Sequence, residues 1–256
     1  MKSEEKKLIF NLLKTASSNL AGYTPDFYKK DYEFQDDAEQ VSEENKSATI
    51  PATSTDSTAT SATASLPASH KVTLADITTK ISRCTNCALA RTRNNVVPGT
   101  GVEHPEVLVI GEAPGFNEDI QGLPFVGKAG MLLDKMLSAI QLSRTENCYI
   151  TNILKCRPEN NRDPFPNEHE ACSSFLEAQI HVLKPKMILC MGRIAGHKLL
   201  DNDTPMSQLH GKIFDYKGIH LLVTYHPSAL LQNEELKRPA REDLKIFTKH
   251  LDTLKD

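Results

Sequence analysis

Several things are scarce in this 256-residue chain. No stretch approaches the roughly 20 consecutive apolar residues that span a bilayer, so a transmembrane helix is excluded. The first residues, MKSEEKKLIFNLL, combine a brief apolar run with acidic residues at the front and no small-residue cleavage site. No secretory signal and a cytoplasmic location are therefore expected. Structural disulfides are rare in that compartment, so the six cysteines are read as metal ligands or buried thiols. Charge of one sign is also missing. The net charge is −3, and seven of the 30 Lys/Arg and eleven of the 33 Asp/Glu lie in residues 1–70. Residues 71–256 hold 23 basic and 22 acidic side chains and are close to neutral. Bulk charge thus gives no argument for a polyanionic partner, although charges segregated by face could still bind one. The hydrophobic content of 39% is low for one compact unit, and the shortfall is local.

The deficit falls at the N-terminus. Residues 4–20 place Leu8, Ile9, Leu12, Leu13, Ala16 and Leu20 on one helical face. Residues 23–34 then hold five of the chain's aromatics. Together, residues 1–40 read as a helix and an aromatic segment that could dock a protein partner. Residues 41–70 are dominated by Ser, Thr, Ala and Pro and have almost nothing to bury. A segment of that kind cannot offset its ordering entropy, and a flexible linker is expected. The N-terminal extension is therefore expected to be largely disordered.

From residue 71 onward the pattern changes to a folded domain. Short aliphatic runs at 107–110, 149–153, 187–191 and 221–225 alternate with helical stretches at 128–140, 167–183, 194–200 and 241–254. This alternation predicts an α/β fold with a mostly parallel sheet covered on both faces. Ligands of such sheets bind at the carboxyl ends of the strands. Glu112, Asn152, Gly192 and His226 stand at those ends.

Four cysteines carry the next signal. Cys84 and Cys87 form a C-x2-C pair, and Cys156 and Cys172 are separated by fifteen residues of a Pro-rich loop. Four thiolates suit a [4Fe–4S] cluster. A zinc site or unrelated buried thiols also fit this spacing. Cys148 and Cys190 stand within apparent strands and read as small buried hydrophobes.

Six motifs in order resemble one known family, the family-4, iron–sulfur uracil-DNA glycosylases. They are C-x2-C, GEAPG-x-x-E-D at 111–119, G-x-P-F-V-G-x-A-G at 122–130, TN-x-x-K-C-R-P at 151–158, the C-x15-C spacing, and YHPS-x-L-L at 225–231. The similarity runs from about residue 81 to the C-terminus and leaves the first 70 residues outside it. It implies a three-layer α/β/α sandwich around a central four-stranded sheet, a [4Fe–4S] cluster on Cys84, Cys87, Cys156 and Cys172, and excision of uracil from DNA by a monomer. The implied roles follow residue by residue. Phe125 stacks on the flipped base, Asn152 reads its edge, and His226 donates to the leaving group. The Glu112–Ala113 backbone contacts uracil, and Glu118 walls off the 5-position against thymine. In another branch of the superfamily a carboxylate stands where Ala113 stands here, so Glu112 is the favoured residue for orienting water. Ser228 is expected to contact phosphate. Leu230 and Leu231, with the following NEELKRP segment, are expected to form a loop that wedges into the duplex. Lys155, Arg157, Arg162, Lys237 and Arg238 are candidate phosphate partners. An accessory protein that binds nucleic acid through a cluster but releases no base is the rival reading.

Overall fold

The computed structural model describes residues 72–254. The N-terminal helix, aromatic segment and linker expected in residues 1–70 lie outside the described residues.

Four strands are buried along their whole lengths or nearly so: β2 (Val107–Gly111), β3 (Cys148–Asn152), β4 (Met187–Met191) and β6 (Ile219–Thr224). Continuous burial is what a parallel sheet covered on both faces demands. β2 pairs in parallel with β3 and with β4, and β4 pairs in parallel with β6. Two shorter strands extend this parallel core at its edges. β1 (Thr100–Gly101) runs antiparallel to β3, and β5 (Ile213–Tyr216) runs antiparallel to β6, giving the order β1-β3-β2-β4-β6-β5. The expected four-stranded sheet is thus the core of a six-stranded one. β5 escapes the sequence pattern because its residues are only partly buried, and its turn to β6 is made by Lys217 and Gly218 in left-handed conformations.

Side chains alternate between the two faces. Val107, Val109, Cys148, Ile150, Leu189 and Leu222 pack on one side against α3 (Lys128–Ser138) and α8 (Lys237–Asp252). Leu108, Ile110, Ile188, Cys190 and Val223 pack on the other against α4 (Pro166–Leu183) and α5 (Arg193–Leu200). Three layers result. Short helices complete the chain: α1 (Leu74–Ser82), α2 (Phe116–Gln121), α6 (Met206–Leu209) and α7 (Pro227–Gln232). No helix among the described residues is long and apolar enough to cross a membrane.

The C-terminal part corrects one expectation. Residues 227–232 are helix α7 rather than a wedge loop, and Leu230 is 2% exposed within the core that holds Phe125 and Phe247. A side chain held there cannot enter DNA, whereas Leu231 is exposed. The helix expected from 241 begins four residues earlier, with Pro239 in its first turn. Proline is tolerated there because first-turn N–H groups have no intrahelical acceptor. Lys237 and Arg238 consequently lie on that first turn, exposed.

The strand order reverses beside β2. From β2 the chain moves outward to β3, then returns across to β4 and on to β6. The loops after β2 and β4 therefore diverge, and they open a crevice at the carboxyl ends of the strands.

Candidate active site and thiol cavity

A cavity of about 410 Å³ occupies that crevice. It collects residues from every parallel strand end: Glu112 and Ala113 after β2, Asn152 at the end of β3, Gly192 and Arg193 after β4, and His226 and Ser228 after β6. Phe125 and Glu118 close one side, and residues 158 and 161–163 close another. Of the residues expected at the site, Glu112, Ala113, Glu118, Phe125, Asn152, His226 and Ser228 are brought together. Leu230 and Arg238 are not.

Phe125 is held by its backbone. Its φ is +54°, a left-handed value that is unfavourable for an aromatic residue. Several bonds maintain it. Glu118 Oε1 accepts from the N–H groups of Val126 (2.8 Å) and Gly127 (3.0 Å). Arg144 donates to the carbonyls of Pro124 and Phe125, both at 3.1 Å, while Asp134 anchors its guanidinium at 2.7 Å. The Phe125 ring lies 5.6 Å from the His226 ring, tilted by 32°. A methyl group added at Gly111 would stand 2.6 Å from Phe125 Cζ, so glycine is needed under this ring.

Asn152 is 2% exposed, and no protein group among the described residues bonds to its side-chain amide. Both its donor and its acceptor are left to the cavity. Buried polar groups are normally satisfied, so an amide kept free in this way is suited to a ligand.

His226 caps the N-terminus of α7. Its Nδ1 accepts the Ser228 N–H at 3.2 Å and lies 2.7 Å from Ser228 Oγ. An N–H can only donate, so Nδ1 carries no proton and Nε2 carries it. Burial lowers the imidazole pKa to about 4, with Glu118 pulling weakly the other way. The ring is thus a neutral donor at neutral pH. Gly192, with φ of +92°, leaves room for it: a Cβ there would come within 2.9 Å of His226 Cβ.

Glu112 shifts in the opposite direction. Burial and the Asp163 carboxylate raise its pKa to about 7, and Arg193 opposes them. Sequence reasoning missed Asp163 and Arg193, which pair at 3.3 Å. Arg193 immediately follows Gly192, so extending the strand-end rule by one residue would have found it.

A second cavity lies beside the segment that follows β3. Cys84, Cys87, Cys156 and Cys172 all line it, and all are free thiols. Cys84 follows the end of α1, Cys87 caps a 3-10 turn (Ala88–Arg91), Cys156 follows β3, and Cys172 sits on α4. Arg93 donates to Cys156 Sγ at 3.1 Å and to the Cys84 carbonyl at 2.8 Å. Burial pushes the Cys172 thiol up to about 11, and Lys155 acts to lower it.

Lys155 lines the second cavity, bonds to the strand end that lines the first, and corrects another expectation. It is 1% exposed and unavailable to phosphate. Its Nζ donates to Thr151 Oγ1 (2.6 Å), the Asn152 carbonyl (2.7 Å) and Gln179 Oε1 (2.7 Å). Burial depresses its pKa to about 7, while Cys172 and Cys156 act to raise it.

The model of the uracil-DNA glycosylase superfamily matches residues 98–246, which include every wall of the first cavity. The chain belongs to that superfamily. A type-4 uracil-DNA glycosylase of Archaeoglobus fulgidus is 43% identical over 180 residues, covering 67% of this chain and 90% of the relative. One from Thermotoga maritima is 40% identical over 172 residues, covering 66% and 89%. A type-5 uracil-DNA glycosylase of Pyrobaculum aerophilum is more distant, at 29% over 153 residues, covering 54% and 67%. Within this superfamily member, the junction of the two cavities rests on one lysine. Lys155→Met removes the Lys155 donor from the buried Asn152 carbonyl and leaves Gln179 Oε1 only the longer bond from Thr151 Oγ1 at 3.4 Å. An orphaned buried group costs about 1–3 kcal/mol, so the urea midpoint is expected to fall clearly. An unchanged midpoint would show that the network adds nothing to stability.

Proposed function

We propose that this protein releases uracil from DNA by hydrolysing its N-glycosidic bond, leaving an abasic site for repair. One observation carries the reading. Phe125, the free amide of Asn152 and the His226 imidazole line a single cavity roomy enough for a nucleobase. The names of the relatives agree with it. A base paired in a duplex is out of reach and must be flipped, at a cost of a few kcal/mol. Stacking on the Phe125 ring offsets about 1–3 kcal/mol of that cost. The Asn152 amide pairs with uracil O4 and N3–H, while cytosine reverses that pattern and leaves buried groups unpaired. Glu118 fixes the loop that carries Phe125, and in this reading the same side chain closes the cavity beside the 5-position against thymine.

Cleavage leaves negative charge on the departing ring. The His226 Nε2–H donates to O2 as that charge develops, and the Ser228 N–H keeps the ring in the required tautomer. Glu112 accepts the proton of the attacking water. A base with a pKa near the working pH combines availability with driving force.

We assign a [4Fe–4S] cluster to the second cavity. Four free thiols line one space there, and four thiolates suit such a cluster. Cys84, Cys87, Cys156 and Cys172 would hold such a cluster, which would tie the segment after α1 to the loop after β3 and to α4. Free cysteines throughout the described residues also suit work in the reducing cytoplasm. Residues 1–70 precede the matched region, and we assign them no part in the chemistry.

Base release from an oligonucleotide with a single uracil, read by alkaline strand cleavage, tests the function directly. Cleavage at the uracil is expected, and His226→Ala should lower the rate by about 10²-fold or more, on the scale of a lost transition-state donor. A variant with the wild-type rate would remove His226 from the mechanism. The pH profile tests Glu112. Its ionised form is the base and its pKa is raised, so kcat/KM should climb about tenfold per pH unit below ~7 and level off above it. Glu112→Gln should be slow and lack that limb; a wild-type profile flat from pH 5 to 8 would exclude this role. The purified protein should absorb near ~400 nm and carry about four irons per chain. Cys172→Ala should lose both, and a colourless protein holding one zinc would overturn the cluster assignment.

A further inference from the structure

Beyond the cavity, Phe116 and Phe165 are the two aromatic residues among the large hydrophobic side chains that the described residues expose, at 57% and 54%. Both adjoin residues that line the first cavity. Phe116 opens α2 directly after Gly115, which lines the cavity. Phe165 packs against Arg162, another lining residue, whose guanidinium lies 3.7 Å from the ring centroid. Arg157 sits over Phe116 in the same way at 5.1 Å. Each ring therefore has a cation behind one face and an open face in front.

These side chains are fixed. Arg157 Nε donates to Asn161 Oδ1 at 2.8 Å. Arg162 forks onto the buried Glu168 carboxylate at 2.6 and 2.9 Å, and Glu168 in turn accepts the Phe165 N–H at 2.8 Å. Asn160 and Asn161 hold left-handed conformations, with φ of +53° and +54°, which keep the intervening loop compact. The cations behind the two rings are thus pre-positioned, which lowers the ordering cost of binding at this surface.

We propose that Phe116 and Phe165 are stacking platforms for the nucleobases that flank the target uracil in single-stranded DNA. The proposal rests on the uracil-releasing function above and adds the form of the strand that the protein grips. Stacked bases in a duplex offer only their edges to a protein. Bases of an unpaired strand offer their faces, and an aromatic ring accepts any of the four. The two platforms adjoin the nucleobase cavity, so one strand can fill all three places. The arginines behind the rings add cation–π attraction without reading sequence.

Two readouts on the full chain separate this proposal from the function beneath it. One is anisotropy of a labelled, uracil-free single-stranded oligonucleotide. The other is steady-state uracil release from its uracil-containing counterpart. Phe116→Ala and Phe165→Ala should each weaken single-strand binding by about tenfold and raise KM to match, with kcat changed by less than about twofold, as loss of one stacked base requires. Tyr or Trp at either position should keep wild-type binding, and Leu should not. Binding unaffected by both Ala variants would overturn the platforms. Leu restoring binding as well as Trp would also overturn them, and would mark a general apolar surface fit for a protein partner. If wild-type protein releases no uracil while binding still depends on the two rings, the glycosylase reading fails and the platforms stand.

Discussion

The Lys155 ammonium is the constraint on which both cavities depend. A charge in a protein interior costs several kcal/mol unless it is paired and fully hydrogen-bonded. Three acceptors meet its three donors, from Thr151, Asn152 and Gln179. Two of those acceptors belong to the end of β3, so the lysine fixes the backbone that presents the Asn152 amide. The thiols on the other side are coupled to it. Cys172 and Cys156 raise the proton affinity of the lysine, and the lysine lowers that of Cys172. The thiol cavity thus favours a charged lysine, and the lysine favours thiolates. Cys156 is its chain neighbour, so the segment that ends the nucleobase pocket also begins the wall of the thiol cavity.

Rigidity of the first cavity comes from a different source. Phe125 adopts a backbone conformation that an isolated chain disfavours, and the surrounding bonds over-determine it. Glu118 spends one carboxylate oxygen on the two N–H groups that follow Phe125, so a residue first read as a specificity wall is also a structural anchor. Gly111 and Gly192 lie beneath Phe125 and His226, where any side chain would collide. In the proposed function, stacking ring and donor are therefore set before a base arrives, which limits the ordering cost of binding.

Much of this was legible in the sequence because the chemistry is concentrated at strand ends. Apolar runs located the four parallel strands to within two residues, and the strand-end rule led to Glu112, Asn152, Gly192 and His226. Failures occurred where local pattern and tertiary environment disagree. Leu230 precedes a polar, Pro-containing stretch and looked like a loop tip, but α7 turns it into the core. Lys155 looked like a surface cation because lysine is seldom buried; its partners are 3, 4 and 24 residues away in sequence, and the last is invisible to local reading. The edge strands are too short or too exposed to impose periodicity. The aromatic rim was missed because an exposed Phe is recognisable only once exposure is known.

The opposite shifts of His226 and Glu112 have one cause. Burial disfavours charge of either sign, so it moves the imidazole down to about 4 and the carboxyl up to about 7. The same desolvated cavity therefore yields a neutral donor and a base that ionises near neutral pH. A cationic histidine would attract the departing anion more strongly, but it would have to surrender the Ser228 N–H bond at Nδ1. Nor does the cavity carry a surplus of positive charge. Arg193 is paired with Asp163, Arg162 with Glu168, and Glu112 and Glu118 face the same space. In the proposed function, stabilisation of the leaving group then comes from oriented dipoles in place of net charge. Such dipoles act only if they point correctly beforehand, and that gives physical meaning to the glycines and backbone bonds that hold His226 and Phe125 in place.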